Sequence, residues 1–99
     1  SVAQMPTPKF DVLKYLAITL RSPAAARARP ISGRIIVKFV VDAHGDVQHV
    51  QSIRAIDPLL AKEAVRVVSQ MPKWNPGRQN GKAVKTYYTL PVVFKLGNH

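Results

Sequence analysis

Ninety-nine residues suffice for one domain with a single modest core. The chain holds 15 Lys and Arg against 5 Asp and Glu, a net charge of +10, and no cysteine. A disulfide framework and a thiolate metal site are therefore excluded, and no run of about 18 apolar residues offers a membrane span or a signal peptide. The basic balance points to an anionic partner. The cations are nevertheless spread from Lys9 through Arg54 to Lys95, with only Arg27, Arg29 and Arg34 close together. A dedicated nucleic-acid surface is the weaker reading of such a distribution.

Residues 1–9, with Pro6 and Pro8, read as the extended end of a linker, and 10–99 as the domain. Phe10, Leu13, Ala17 and Leu20 recur at helical spacing behind Asp11, an N-terminal cap, while Lys14 and Arg21 point elsewhere. Ser22-Pro23 ends this helix, because the residue before a proline disfavours the helical region. Ala24 to Ala28 suits a further short turn before Pro30.

Gly33 opens the first strand, with Ile35, Val37, Phe39 and Val41 on one face and Arg34, Ile36, Lys38 and Val40 on the other. Asp42-Ala43-His44-Gly45 makes a turn in which Gly45 can take positive φ. The second strand runs from Asp46 to about Arg54. Its apolar residues Val47, Val50 and Ile53 do not alternate cleanly, which predicts a bulge. Asp57-Pro58 then starts a helix, and Leu60, Ala64, Val67, Val68 and Met71 form its apolar stripe. Met71-Pro72 stops it, and Trp74 in the turn that follows is expected to bury its ring over the core.

The last strand, Ala83 to Leu96, places Val84, Tyr88, Leu90, Val92, Phe94 and Leu96 on one side, with Thr86 the exception. Lys85, Tyr87, Thr89, Pro91, Val93 and Lys95 lie on the other. Pro91 makes it an edge strand, since proline cannot donate to two neighbours. An open edge either closes a small sheet or receives an extended peptide. The directions of the elements define an α+β fold: a three-stranded antiparallel sheet in the order second-first-third, one long amphipathic helix packed on it, and an N-terminal helix.

Catalytic signals are thin. His44 lies in a turn, His49 on a strand and His99 at the terminus, and no serine has a histidine nearby in a turn-like context. Asp42, His44 and Asp46 could be imagined as metal ligands, but Asp and Gly are what any tight turn requires, so no metal site and no cofactor are assigned. The chain reads as a non-enzyme.

Several stretches together resemble the C-terminal domain of the energy transducer TonB. They are Gly33 to Asp42 with Gly45-Asp46-Val47, Met71-Pro72-Lys73-Trp74-Asn75-Pro76-Gly77, Asn80-Gly81-Lys82, and Leu90-Pro91-Val92-Val93-Phe94-Lys95-Leu96. The resemblance covers about Pro23 to Leu96, and its Pro-x-Trp-x-Pro-Gly and Pro-Val-x-Phe parts are the most specific. It implies a periplasmic domain tethered to the inner membrane through a helix upstream of this chain. It implies two partners: the TonB-box peptide of an outer-membrane transporter for siderophores or other nutrients, and the ExbB–ExbD motor driven by the proton gradient. The peptide-gripping strand corresponds to Tyr88, Thr89, Leu90, Pro91, Val92, Val93, Phe94 and Lys95. Secondary contacts fall at Thr19, Arg21 and Ser22, where Ser22 stands in place of the family's tyrosine. Related domains also occur appended to membrane-bound metallopeptidase sensors. Two other readings of the residues stay open: a basic nucleic-acid-binding module and a homodimer built through the free edge.

Overall fold

The computed structural model describes residues 3–21, 33–54 and 57–94. The elements in chain order are β1 (Thr7–Pro8), α1 (Val12–Thr19), β2 (Gly33–Val41), β3 (Val47–Ile53), α2 (Pro58–Ser69), β4 (Trp74–Asn75), β5 (Gly77–Gln79), β6 (Lys82–Val84) and β7 (Thr86–Phe94). The main sheet is antiparallel with the order β3-β2-β7, the second-first-third order expected. The expected helical turn at Ala24 to Ala28 and the stop at Ser22-Pro23 lie outside the described residues.

The β2–β3 hairpin closes on three residues. Asp42 N–H donates to the Asp46 carbonyl at 2.9 Å and Gly45 takes φ 86°, the left-handed step such a loop needs. The predicted bulge is in β3. Lys38 faces Gln51 but Val40 faces Gln48, so His49 and Val50 together oppose Phe39. His49 takes φ 53° there. This one extra residue explains the irregular pattern: Val47 and Val50 both pack on the core, while Ile53 pairs with Ile36 on the opposite face.

Asp57 caps α2, accepting from the N–H groups of Leu59 (2.9 Å) and Leu60 (3.4 Å), with Pro58 in the first turn. Leu60, Ala61, Ala64, Val67 and Val68 are buried against the inner face of the sheet, where Ile35, Val37, Phe39, Val41, Val92 and Phe94 meet them.

α1 corrects its expected face. Leu13 is 80% exposed and Ala17 is exposed, whereas Val12, Tyr15 and Leu16 turn inward. Eight residues are about two turns, and both stripes satisfy helical spacing over so short a length. Tertiary contacts decide between them. The Tyr15 hydroxyl donates to the Val67 carbonyl at 2.7 Å and its ring stands edge-on to Phe10. The helix also ends early, with Leu20 as its C-terminal cap.

Trp74, 1% exposed, sits where all these pieces converge. Phe10, Phe39 and Tyr88 surround its ring edge-on, at centroid distances of 6.3, 5.4 and 5.0 Å. The backbone N–H of Trp74 donates to the Gly45 carbonyl at 2.8 Å, and a Cβ on Gly45 would run into the Trp74 carbonyl. Its buried indole Nε1 finds no hydrogen-bond partner among the described residues. Three residues on, a Cβ on Gly77 would collide with the Thr86 hydroxyl, which donates to the Val84 carbonyl. That contact explains why a threonine interrupts the apolar side of β7.

The lead-in is extended and paired. Thr7 and Pro8 oppose Asn75 and Trp74, and Ala3 and Gln4 both donate to the Arg78 carbonyl at 3.0 Å. It thereby supplies partners to the backbone of the segment that carries Trp74.

Because the buried indole fills the space among Phe10, Phe39 and Tyr88, Trp74→Ala should destabilise by about 3–5 kcal/mol. Trp74→Phe should cost only about 1–2 kcal/mol, since it also deletes the unpaired N–H. Chemical denaturation midpoints of the two variants check this ordering.

Candidate functional site

β7 pairs with β2 along its whole length, from Thr86 opposite Val41 to Phe94 opposite Gly33. Successive residues of an antiparallel strand bond to opposite neighbours. Asp42 bonds toward β3, so the even residues of β2 do the same and its odd residues bond to β7. Their partners in β7 are the even residues Thr86, Tyr88, Leu90, Val92 and Phe94. Tyr87, Thr89, Pro91 and Val93 therefore turn their backbone polar groups to the free edge. Pro91, opposite Ile36, sits where no N–H is asked of it by β2.

The same alternation sorts the expected gripping residues. Val92 and Phe94 are buried in the core, and Tyr88 and Leu90 are half-buried beside it. Thr89, Pro91 and Val93 are exposed, and Lys95 lies outside the described residues. Tyr87 belongs with the edge set although it precedes the expected segment: it is 61% exposed and has the correct parity. Lys38 of β2 stands 5.0 Å over its ring, a cation–π contact that places positive charge beside the edge. The period-two pattern itself marked Tyr87 as outward, and no signal in the sequence marked Lys38 as its partner.

Thr19 and Arg21 are held by α2. Arg66 donates to the Thr19 carbonyl at 3.2 Å, and the Arg21 N–H donates to Glu63 Oε2 at 2.7 Å. Glu63 also pairs with Arg66, Nε to Oε1 at 2.7 Å. Burial alone would raise the Glu63 carboxyl, but the Arg66 guanidinium and the Arg21 N–H outweigh it and hold the group below the usual glutamate range. These bonds fix the chain leaving α1 on α2, the helix over β3 and β2, and they do not join it to β7. Ser22 lies outside the described residues.

The other acids are spent on structure as well. Asp11 accepts from the Lys14 N–H, and the Asp42 carboxylate accepts from the N–H groups of His44 and Asp46 at 2.9 Å, which lowers its pKa. Asp46 pairs with Lys73 at 2.8 Å. No group of three metal-ligating side chains forms among the described residues.

The sequence matches the model of the Gram-negative bacterial TonB protein C-terminal family over residues 20–96. The chain belongs to the TonB C-terminal domain family. No curated protein sequence gives a significant match. Among solved structures, the NMR solution structure of the Helicobacter pylori TonB C-terminal domain (its residues 194–285) is similar, with a TM-score of 0.59 at 18% identity. The similarity covers 90% of this chain and 98% of that one. At that identity the likeness is one of fold, and it agrees with the α+β build of the TonB family seen here.

The depressed Glu63 carboxyl stabilises the fold above the ordinary glutamate value of 4.5, and this contribution is lost as pH falls through its lower folded value. Glu63→Gln should therefore melt below the parent near pH 7, and the gap should narrow as both are taken to acid below pH 4.5. Thermal melting across that range, followed by circular dichroism, checks the sign.

Proposed function

We propose that this domain grips an extended TonB-box-type peptide of an outer-membrane transporter by pairing it to the free edge of β7. On this reading it is the periplasmic end of a transducer anchored in the inner membrane, and it passes on work that ExbB–ExbD draw from the proton gradient. The observation that carries the proposal is the row of edge-facing backbone groups on Tyr87, Thr89, Pro91 and Val93, which find no strand partner among the described residues while the other side of β7 is paired to β2 along its length. Family membership supports the same role. The protein works by binding and pulling, without catalysis.

The energetics are those of strand addition. Three N–H donors (Tyr87, Thr89, Val93) and four carbonyls offer a guest up to seven bonds. At about 1 kcal/mol net each, less several kcal/mol for ordering a flexible peptide, the result is micromolar or weaker affinity. Backbone bonds read little sequence. The surplus cations, including the Lys38 over Tyr87, favour acidic residues flanking the bound strand. A nucleic-acid reading would need several aromatic rings on the open sheet face. Among the described residues of that face Tyr87 stands alone.

Proline substitutions test the edge. Thr89→Pro and Val93→Pro each remove an outward N–H and should weaken binding of labelled transporter N-terminal peptides about fivefold while the domain stays folded. Leu90→Pro removes a bond to β2 and should unfold it. Thr89→Val should change affinity less than about twofold, because it keeps the N–H. A folded Val93→Pro variant with parental affinity would move the grip elsewhere.

The charge is tested separately. Between ~50 and ~500 mM salt, stopped-flow association with an acidic-flanked peptide should slow several-fold while dissociation changes little. Rates indifferent to salt would deny the surplus cations a steering role.

A further inference from the structure

An edge strand open to a guest is equally open to another copy of itself, since the same donors and acceptors recur on every molecule. β7 is well suited to that mistake. It is nine residues long, regular throughout its pairing with β2, and carries exposed apolar side chains at Tyr87 and Val93. One residue on the edge is odd: Pro91, exposed, on the outward parity, in the middle of the strand.

We propose that Pro91 makes the β7 edge discriminate between a guest strand and a second copy of this chain. The discrimination comes from counting. Two identical edges pair about a two-fold axis, so residue i of one copy meets residue j of the other and j meets i. Within the edge set, three such registers keep three or four outward residues of each copy in the pair. Tyr87 can face Val93 with Thr89 facing Pro91. Tyr87 can instead face Pro91 with Thr89 on the axis, or Thr89 can face Val93 with Pro91 on the axis. In each of them both prolines lie in the interface, and each leaves the carbonyl opposite it without a donor. Registers that avoid Pro91 keep at most two outward residues of each copy, Tyr87 and Thr89, or Val93 alone. A guest strand meets a single Pro91 and loses one bond.

The structure shows why the device costs the fold nothing. Pro91 opposes Ile36 at a position that gives no bond to β2, so the missing N–H is missing only on the open side. The neighbouring even positions, Leu90 and Val92, could not hold a proline without breaking the ladder. Position 91 is also central in the edge set, where every well-overlapped two-fold register must include it. At about fivefold in affinity per missing bond, self-pairing is disfavoured about 25-fold and guest pairing about fivefold.

The proposal deepens the peptide-binding reading of β7, yet its first arm needs no peptide. Pro91→Val and Pro91→Ser each restore the N–H, one with an apolar and one with a polar side chain. Sedimentation equilibrium of the 99-residue chain over a wide concentration range should show both variants dimerising at about 25-fold lower concentration than the parent. Adding Thr89→Pro to either variant should return it to the parental behaviour, and circular dichroism verifies that all are folded. The second arm titrates a labelled transporter N-terminal peptide, for which both variants should gain no more than about fivefold. Unchanged self-association overturns the proposal. So does a dimer formed by Pro91→Val alone, which would report side-chain stickiness, or one indifferent to Thr89→Pro, which would use another surface. Equal gains for self and peptide also overturn it. If no variant binds peptide, the peptide-binding reading fails by itself, while sedimentation still decides whether Pro91 guards the edge.

Discussion

One register holds this structure together: the antiparallel pairing of β7 with β2. Side-chain direction and hydrogen-bond direction both alternate with period two along a strand, so a single register sets both. The even residues of β7 face the core and bond to β2, and the odd ones face outward and bond to nothing in the sheet. A slip by one residue would expose Val92 and Phe94, bury Thr89 and Val93, and turn Pro91 toward a neighbour that needs its N–H. The packed core and the open edge are two consequences of the same alternation.

Trp74 secures that arrangement from above. Its ring packs against Phe39 of the central strand, Tyr88 paired beside it on the edge strand, and Phe10 before α1, so it ties the chain ahead of α1 to the β2–β7 ladder. The two glycines that admit it act at different places. Gly45 lets the β2–β3 turn lie against the Trp74 backbone, and Gly77 lets the following strand cross the Thr86 hydroxyl. In this chain the Pro-x-Trp-x-Pro-Gly run is thus a packing device, and its closing glycine sits against the first residue of the edge strand.

The basic character follows from how the few acids are used. Asp11 and Asp57 cap helices, Asp42 organises a turn, Asp46 pairs with Lys73, and Glu63 anchors both Arg66 and the chain leaving α1. Acid side chains committed to backbone donors or to local pairs leave most of the Lys and Arg facing solvent. The resulting field suits an acidic partner, and it discourages close approach of a second, equally charged copy.

Much of this was legible in the residues. Asp57-Pro58 announces α2, Gly45 its turn, the uneven Val47-Val50-Ile53 spacing its bulge, and Pro91 an edge strand, because each is a local rule of backbone chemistry that the fold did not override. The strand order followed from chain direction alone. Tertiary structure decided the rest. In α1 two stripes were equally periodic, and the Tyr15 bond to the Val67 carbonyl chose the one that hides Leu16 and exposes Leu13. Lys38 over Tyr87 and Glu63 on Arg21 join residues 49 and 42 positions apart, and no local pattern encodes such pairs. The sequence by itself determined that an edge strand exists and which parity is apolar. Which odd backbone groups stay unpaired was decided only by the register against β2, because a strand's polar groups acquire a direction only when a neighbour takes one side.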